Sequence, residues 1–291
     1  MLRKERKRHI LENGGKLLEE RIICCKDKCR CNPIRSFSAE QILRATNHFE
    51  SDCSFYSCFK WYKCSIDGLP ALIKKYKDSK ALNAHRDIAI SCQMSSHRNA
   101  LKLLGCCLQF SRPTLVYEHA EFGPLNGRGG IGIDGNHPPL SWKMRLKVAI
   151  GIGNAIAYLH NAFSRPIINR DIKHSHIFLD KDYVPKFSDF SFSIIIPEGE
   201  THIEDDLIGT FGFVDPTYFA TSLVTEHTDV YSFGVLLLVL ITGKHAIDQI
   251  YLDEKQWIGD YVSSLVEKEQ FKEILDSEIL GGGGINEECT P

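Results

Sequence analysis

Apolar residues recur at helical intervals near the start of the chain. Between residues 3 and 23 they alternate with Lys, Arg and Glu at Ile10, Leu11, Leu17, Leu18, Ile22 and Ile23. This spacing predicts an amphipathic helix. Because such stripes usually face a core, we expect the helix to pack on the domain behind it, with a partner-docking arm as the alternative. Asn32 and Pro33 end the pattern and predict a linker.

A second helical pattern follows this linker. Ser38 is placed to cap a helix, and apolar positions recur after it at Ile42, Leu43 and Phe49. Much later, the longest apolar run extends from Val235 to Ile241. This run is far shorter than the ~20 residues that span a bilayer, so it predicts a buried helix.

The composition of the 291-residue chain suits a globular protein. Its apolar fraction of 43% is sufficient for the core of one large domain or of two lobes. The net charge of −2, with Lys and Arg spread along the chain, argues against a nucleic-acid partner. Residues 1–9 are basic, but no signal-peptide core follows them, and Leu2 excludes N-myristoylation. We therefore expect a cytoplasmic protein.

The cysteines indicate a reducing compartment. Their number, eleven, is odd, and the chain has no Asn-x-Ser/Thr sequon, so a secreted disulfide framework is not expected. Cys24, Cys25, Cys29 and Cys31 lie close together but lack Cys-x₂-Cys spacing, and we expect no metal site. Palmitoylation of Cys24 or Cys25, beside basic residues, would associate the protein with a membrane.

Candidate chemistry is concentrated between residues 168 and 191. Asn169, Arg170 and Asp171, followed by Lys173 and His176, differ by two substitutions from the catalytic loop of protein kinases. Farther along, an Asp-Phe-Ser sequence at residues 189–191 differs by one substitution from the Asp-Phe-Gly turn that holds Mg²⁺ in those enzymes. These two groups predict a kinase fold whose site is altered.

Other kinase-like motifs occur in the expected order. They are Phe37–Phe49, His97–Asn99, Leu103–Cys107, Leu115–Glu118 and Asp229–Gly234. Together they resemble plant receptor-like cytoplasmic kinases and wall-associated kinases over roughly residues 36–280. So many ordered motifs are much more specific than any one of them.

This resemblance implies an α+β, bilobal protein-kinase-like fold, with a small N-lobe built on an antiparallel sheet and a mainly helical C-lobe. The implied organisation is an N-terminal helix and linker at 1–35, the N-lobe with its hinge at 36–120, the C-lobe at 121–280 and a flexible tail at 281–291. Tyr117 to Ala120 would form the hinge, with Tyr117 in the gatekeeper position.

The phosphate-binding glycine loop is expected to be lost. When Trp61 to Lys63 are aligned on the usual Val-Tyr-Lys strand, Ser54, Tyr56 and Phe59 take the places of the three glycines. Side chains there would fill the space that backbone N–H groups need to approach a phosphate. A Gly-x-Gly-x-x-Gly match at residues 127–132 follows the hinge, and we interpret residues 123–139 as a flexible surface loop.

Three residues would bind a cofactor if nucleotide binds at all. By resemblance, Lys74 contacts the α- and β-phosphates of ATP and pairs with a helix acid at or near Asp87, Ala120 lies in the hinge, and Asp189 ligates Mg²⁺. A purely structural Lys74–Asp87 pair is the alternative. We expect no required cofactor, with ATP and Mg²⁺ as the only candidates.

The catalytic residues survive only as relics. Asp171 can still accept a hydroxyl proton and Lys173 can still supply positive charge. Asn169 replaces a His, Ser191 replaces the flexible Gly, and His176 replaces the Asn that ligates a second Mg²⁺, for which imidazole is a poor ligand. No intact catalytic set is therefore expected.

The C-terminal part also departs from the family pattern. Asp215, Pro216 and Thr217 stand in place of Ala-Pro-Glu, so the buried Glu of that motif is missing. The final helices are not evident, because the chain ends in the glycines at 281–284 and a short polar tail, without the Arg-Pro segment that usually closes the domain. We expect a C-lobe truncated at its C-terminal end.

The departures resemble most closely those of the ZED-related pseudokinases of plant immunity, which also share Glu12, Asn13 and Gly14. This resemblance implies an adaptor that binds the leucine-rich repeats of a coiled-coil NLR receptor and engages active receptor-like cytoplasmic kinases modified by bacterial effectors. The alternative is a weakly active, ATP-binding Ser/Thr kinase. A lesser hypothesis is a decoy modified at Thr201 or Thr210 in the acidic activation segment, which we otherwise expect to be a solvated, mobile loop.

Overall fold

A computed structural model of the chain describes residues 2–24, 34–50, 59–77, 83–132, 139–251 and 254–281. The expectations for Ser54, Tyr56, Cys25, Cys29 and Cys31 lie outside these residues. The chain divides into a first unit, Met1–Glu121 with Phe187–Ile195, and a second unit, Phe122–Lys186 with Ile196–Pro291. No helix within the described ranges is both long and apolar enough to cross a lipid bilayer.

The first unit is built on a five-stranded sheet in the order β1-β4-β5-β3-β2. Its strands are β1 (Arg35–Ser36), β2 (Phe59–Ile66), β3 (Leu69–Tyr76), β4 (Leu103–Cys107) and β5 (Thr114–Glu118). Strands β2 to β5 pair antiparallel, and β1 pairs parallel with β4. Short β10 (Ile194–Ile195) also belongs to the first unit.

The alternation of side chains gives this sheet two different faces. On one face Tyr62, Ile73 and Val116 are cross-strand neighbours and form a buried cluster with Phe37 and Ile42. Ile42 belongs to helix α2 (Ala39–Ala45), whose start is fixed by the predicted Ser38 cap through a complete capping box. The opposite face carries Lys74 and the candidate site.

Helix α1 (Leu2–Cys24) is present as predicted, but its orientation differs from the expectation. Its buried positions are Asn13, Leu17, Glu20 and Cys24, whereas Leu11, Leu18 and Ile22 are 77%, 60% and 62% exposed. The helix packs on the first unit as expected, but of the apolar stripe only Leu17 is buried, so the expectation that the stripe makes this contact is wrong.

Polar contacts explain this orientation of α1. Asn13 Nδ2 donates to the carbonyl oxygens of Leu108 and Phe110 at 3.0 and 2.9 Å. Glu20 accepts from Arg86 Nε at 3.0 Å, in helix α3 (Ala84–Met94). Because buried polar groups need such partners, these contacts fix which side of α1 faces the domain.

The second unit is mainly helical. Its helices are α4 (Trp142–Asn161), α5 (Pro216–Thr221), α6 (Glu226–Thr242), α7 (Ile258–Glu267), α8 (Phe271–Ile274) and α9 (Ser277–Gly281). Helix α6 contains the long apolar run, and Leu236, Val239 and Leu240 within it are buried, as predicted. With a sheet-rich first unit and a helical second unit, the predicted α+β kinase-like fold is confirmed.

Short strands complete the second unit. A sheet in the order β6-β8-β9 is formed by β6 (Gly123–Pro124), β8 (Ile177–Leu179) and β9 (Pro185–Phe187). Two further pairs are β11 (Ile203–Glu204) with β12 (Leu223–Val224) and β13 (Ile247–Tyr251) with β14 (Glu254–Trp257), and β7 covers Ile167–Ile168.

One expectation for the second unit is wrong. The flexible surface loop expected at 123–139 begins instead with strand β6, and the buried residues Leu125 and Ile131 bridge to each other. The expectation of a C-lobe truncated at its C-terminal end stays a prediction. Helices α7 to α9 extend to the first of the glycines at 281–284. Buried Arg145 of α4 holds the segment between α8 and α9, since its guanidinium lies 2.6 Å from Asp276, and it also donates to the Leu240 carbonyl.

Candidate functional site

Lys74 is the centre of the candidate site in the first unit. Its Nζ lies 2.6 Å from Asp87 Oδ2 and 2.9 Å from Asp189 Oδ1. The side chain of Lys74 is 0% exposed. The helix partner that the sequence placed at or near Asp87 is therefore Asp87 itself, and the candidate metal carboxylate of Asp189 is bound to the same ammonium.

Local structure explains how these charges meet. Lys74 points to the α3 side of the sheet, where Trp61 on β2 and Leu115 on β5 are its neighbours in register. Asp87 lies in the first turn of α3, which begins after the Asn83 cap. Carboxylates are favoured in the first turn by the helix dipole.

Asp87 accepts hydrogen bonds from several surrounding groups. Ser91 Oγ and the backbone N–H of Phe190 both lie 3.0 Å from its Oδ1. The Tyr76 hydroxyl donates to its Oδ2, and the Tyr117 hydroxyl lies 3.5 Å from its Oδ1. These donors satisfy a carboxylate that would otherwise be costly to bury.

Aromatic rings close the space around the ammonium. Lys74 Nζ lies 4.0 Å from the ring centroid of Phe59, 4.9 Å from that of Tyr76 and 5.9 Å from that of Trp61. Tyr117, in the predicted gatekeeper position, packs on Trp61 with centroids 5.5 Å apart. A cation enclosed by rings in this way gains cation–π attraction but loses contact with solvent.

This environment fixes the ionisation of its groups. Burial on its own would lower the pKa of Lys74, but the carboxylates of Asp189 and Asp87 outweigh it and raise that pKa above its ordinary value. Burial, together with the nearby Asp87, raises the pKa of Tyr76 and of Tyr117 well above their ordinary values. Lys74 therefore stays charged, and both phenols stay protonated as hydrogen-bond donors.

Ser191 closes the Asp-Phe-Ser turn with its own hydroxyl. Its Oγ donates to Asp189 Oδ1 at 2.7 Å, and its backbone N–H donates to the same oxygen at 3.0 Å. Its carbonyl accepts from the Asn83 backbone at the start of α3. A glycine could make the backbone bonds but not the hydroxyl bond, so Ser191 holds the Asp189 carboxylate toward Lys74.

The residues of this site do not fit the phosphates of ATP with Mg²⁺. Phe59, at the third glycine position of the alignment, places its ring over the ammonium that would have to reach a phosphate. Asp189 Oδ1 is already shared by Lys74 and Ser191. Ala120, the third expected cofactor-binding residue, is fully buried. The arrangement is that of a closed structural ion cluster.

The relics of the catalytic loop form a separate network in the second unit. Asp171 is 3% exposed. Its Oδ2 accepts from Lys173 Nζ at 2.8 Å and its Oδ1 accepts from Thr210 Oγ1 at 2.5 Å. Lys173 Nζ also lies 2.6 Å from Thr210 Oγ1. The carboxylate that could act as a base is thus neutralised by Lys173 and engaged by Thr210.

His176 and Asn169 support the loop around Asp171. His176 Nδ1 donates to the Asp171 carbonyl at 2.9 Å, and its Nε2 lies 3.8 Å from Asp171 Oδ2. Asn169 Oδ1 accepts from the Asp171 backbone N–H at 3.1 Å. The backbone N–H groups of Asn169 and Arg170 donate to Asp229 in α6, both at 2.8 Å. These substituted residues have structural contacts in the loop.

The activation segment has more contacts than the sequence suggested. Arg170 Nη1 lies 2.6 Å from Asp205 Oδ2, and β11 pairs with β12. Glu198 and Glu200 are exposed, in agreement with a solvated segment, but Asp205 is held by this ion pair. Of the two candidate modified hydroxyls, Thr201 is exposed whereas Thr210 is bonded to Asp171 and Lys173.

The sequence did not indicate several residues that contact the groups of these two networks. Tyr76 lies two residues after Lys74 on the same strand, so strand alternation could have placed it beside the ammonium. Thr210 and Asp205 lie 39 and 35 residues from the groups they bind, and no local pattern indicates those contacts.

Comparison with known proteins agrees with the fold. The protein kinase domain family matches residues 62–277. The chain therefore belongs to the protein kinase family, and within it to the ZED-related kinases and pseudokinases.

Three relatives from Arabidopsis thaliana illustrate this relationship. Serine/threonine-protein kinase ZRK1 is 46% identical over 94% of this chain and 80% of its own length. Non-functional pseudokinase ZED1 is 46% identical over 96% and 84%, respectively. Non-functional pseudokinase ZRK2 is 42% identical over 96% and 81%. The relatives thus include proteins named as kinases and proteins named as pseudokinases.

Proposed function

We propose that the chain is a catalytically impaired pseudokinase that acts as an adaptor. The observation that carries this proposal is the enclosure of Lys74 by Asp87, Asp189 and the Phe59 ring. Phosphoryl transfer depends on positioned charges that reach the nucleotide, and loss of one such group commonly costs ~10²–10³ in rate. Here the Lys74 ammonium, which would contact the phosphates, and the Asp189 carboxylate, which would ligate the metal, are bound to each other.

The adaptor part of the proposal is supported by α1. Leu11, Leu18 and Ile22 lie at intervals of seven and four residues, so they follow one side of the helix, and all are exposed. Aliphatic side chains in such a row are the usual signature of a surface that a partner covers. The polar side of α1 is fixed to the first unit by Asn13 and Glu20.

The proposed partners follow from the resemblance to ZED-related pseudokinases. They are the leucine-rich repeats of a coiled-coil NLR receptor and receptor-like cytoplasmic kinases that bacterial effectors have modified, in the cytoplasm of a plant cell. The exposed stripe of α1 is the surface that we assign to the receptor. No nucleic-acid partner is proposed.

Catalytic impairment can be tested directly. Purified protein is incubated with radiolabelled ATP, Mg²⁺ and a generic protein substrate, beside an Asp171→Asn variant. We expect no transfer that depends on Asp171. A clear signal that disappears in the variant would overturn the pseudokinase proposal.

The adaptor surface needs a matched pair of variants. Leu11→Glu/Leu18→Glu places two charges on the α1 stripe, and Leu146→Glu/Ile150→Glu places two on the exposed side of α4. After co-purification from plant tissue, an NLR receptor should be lost with the first variant and retained with the second. If both variants retain the receptor equally, the α1 stripe is not the docking surface. If no NLR receptor co-purifies with the unmodified protein, the proposed partner is wrong.

The second candidate is a weakly active Ser/Thr kinase. It is favoured by the intact contact between Asp171 and Lys173 and by relatives named as kinases. A kinase that binds Mg-ATP must be stabilised by it, so its melting temperature should rise at millimolar nucleotide. We expect no rise; a rise that Lys74→Ala abolishes would favour this candidate.

A further inference from the structure

The start of α3 is connected to α1 by a carboxylate. Glu20, in the last turns of α1, accepts a hydrogen bond from Asn83 Nδ2 at 2.7 Å. It also accepts from Arg86 Nε at 3.0 Å and from Arg86 Nη2 at 3.3 Å, so the guanidinium binds both carboxylate oxygens. The two charged side chains are 12% and 25% exposed. A bidentate pair between Arg and a carboxylate is among the stronger polar contacts in proteins.

The same two partners of Glu20 hold the turn segment, which we define as residues 189–193. Arg86 Nη1 donates to the carbonyl oxygen of Ser193 at 3.0 Å. The backbone N–H of Asn83 donates to the carbonyl oxygen of Ser191 at 3.3 Å. Asn83 Oδ1 meanwhile caps the first turn of α3. Asn83 and Arg86 therefore each contact α1 with one group and the turn segment with another.

These contacts continue to the Lys74 cluster. Ser191 Oγ donates to Asp189 Oδ1, the oxygen that lies 2.9 Å from Lys74 Nζ. The first turn of α3 carries Asp87, which binds the same ammonium. Glu20 is thus connected to both acids of the cluster, to one through the turn segment and to the other through the start of α3.

The burial of Ser193 makes its contact with Arg86 important. Ser193 is 0% exposed, and its Oγ has no hydrogen-bond partner among the described residues. The residue is therefore held through its backbone. If Glu20 were withdrawn, the Arg86 side chain would regain rotamer freedom and contact with water. The buried Ser193 carbonyl would then lose a charged donor, which is costly for a group that water does not reach.

We propose that α1 is a clamp on the Lys74 cluster. While Glu20 holds Asn83 and Arg86, α3 and the turn segment keep the arrangement that encloses Lys74. When the last turns of α1 detach, the turn segment loosens and the ammonium becomes accessible. Coupling between two sites is reciprocal, so a change at the turn segment must also alter the attachment of α1.

The clamp deepens the proposed function and rests on it in one respect. The receptor is assigned to the exposed side of the same helix. A receptor that binds α1 only in its attached position would favour the closed Lys74 cluster, because a ligand shifts an equilibrium toward the state that it binds better. The docking surface would thereby be regulated by the state of the cluster.

The test follows both ends of the clamp in the full chain. Amide hydrogen exchange is measured for residues 2–24 and 189–193, and acylation of Lys74 by acetic anhydride is measured by mass spectrometry, with exposed Lys102 as the internal reference. Glu20→Ala breaks the connection at α1. Ser191→Ala removes the hydroxyl bond to Asp189 at the other end.

We expect Glu20→Ala to speed both exchange of residues 189–193 and acylation of Lys74 by at least about tenfold, because charge-assisted hydrogen bonds are lost. Ser191→Ala should in turn speed exchange in the last turns of α1. Glu12→Ala, exposed in the same helix, is the matched control and should change neither. Glu20→Gln keeps one acceptor oxygen and should give smaller changes of the same kind, even if Glu20→Ala does not fold.

Three results would overturn the inference. In the first, exchange rises in α1 while residues 189–193 and Lys74 are unchanged, so that Glu20 only attaches the helix. In the second, Glu20→Ala and Glu12→Ala have equal effects. In the third, Ser191→Ala leaves α1 unchanged. None of these measurements involves the receptor, so failure of the clamp is distinguishable from failure of the proposed adaptor function.

Discussion

Lys74 and Asp189 form an ion pair of 2.9 Å in which the two side chains are 0% and 2% exposed. Asp87 binds the same ammonium, so two buried carboxylates share one positive charge. The remaining negative charge is stabilised by hydrogen bonds from neutral donors, among them the Tyr76 hydroxyl and Ser91 Oγ. An isolated buried charge would be far too costly, so the cluster is stable only as a set.

Removing Lys74 should therefore destabilise the first unit strongly. Lys74→Met leaves Asp87 and Asp189 buried without their counter-ion, and we expect a loss of about 3–5 kcal/mol in the free energy of unfolding. Urea denaturation measures it. The triple variant Lys74→Met/Asp87→Asn/Asp189→Asn should recover most of the loss. If the triple variant is no more stable than the single one, charge compensation is not what holds the cluster together.

Thr210 should matter more than Thr201 for the second unit. Thr210→Val removes the hydroxyl shared by Asp171 and Lys173, and we expect a loss of about 1–3 kcal/mol because a nearly buried carboxylate loses a donor. Thr201→Val, in the same segment but exposed, is the matched control and should change stability by less than about 0.5 kcal/mol. Equal losses of stability in the two variants would show that the hydrogen bonds of Thr210 with Asp171 and Lys173 do not stabilise the second unit.

Stability should fall in mild acid through His174. Burial, with the nearby Lys173, lowers the pKa of His174 to about 4. In the unfolded chain this residue titrates near its ordinary value of about 6.5, so between these values the unfolded state binds the extra proton. The free energy of unfolding therefore decreases as pH falls from 6.5 toward 4.

His174→Gln should make this pH dependence shallower. Urea denaturation at several pH values between 4 and 7 gives the slope for both proteins. Part of the slope should remain, because burial also lowers the pKa of His85 to about 4. An unchanged slope in the variant would show that His174 does not contribute.

Glu20 should control how firmly α1 is attached. Glu20→Ala removes the carboxylate that binds Arg86 and Asn83, and we expect faster amide hydrogen exchange across residues 2–24. Glu12→Ala is the control, since Glu12 is exposed and only 3.6 Å from exposed Arg8 within the same helix. Exchange that rises equally in both variants would mean that general helix propensity, and not the Glu20 contacts, sets the attachment.

Local signals in the sequence predicted much of the fold. Ser38 was placed correctly as a cap because capping depends on residues three positions apart. The buried part of α6 followed from its apolar run. The Lys74–Asp87 pair followed from the kinase-like order of strand and helix.

What failed depends on partners that are distant in sequence. The orientation of α1 is fixed by Asn13 and Glu20, whose acceptors and donors lie 63 to 97 residues away. The segment between α8 and α9 is held by a contact between Arg145 and Asp276, which lie 131 residues apart. The sequence showed that Phe59 takes the place of a glycine. The position of its ring over the Lys74 ammonium could not be predicted, because it depends on how the strands pack into the sheet.

The shared acceptor Asp87 couples the residues around it. Its carboxylate serves Lys74, Tyr76, Ser91 and the backbone of Phe190 together, so a change in any one of these groups alters the hydrogen bonds left to the others. A glycine at Phe59 would open a gap over the ammonium while Lys74 stays bound to Asp87 and Asp189. Substitutions in this cluster should therefore be strongly non-additive, so the effect of two changes made together cannot be obtained by summing the effects of each.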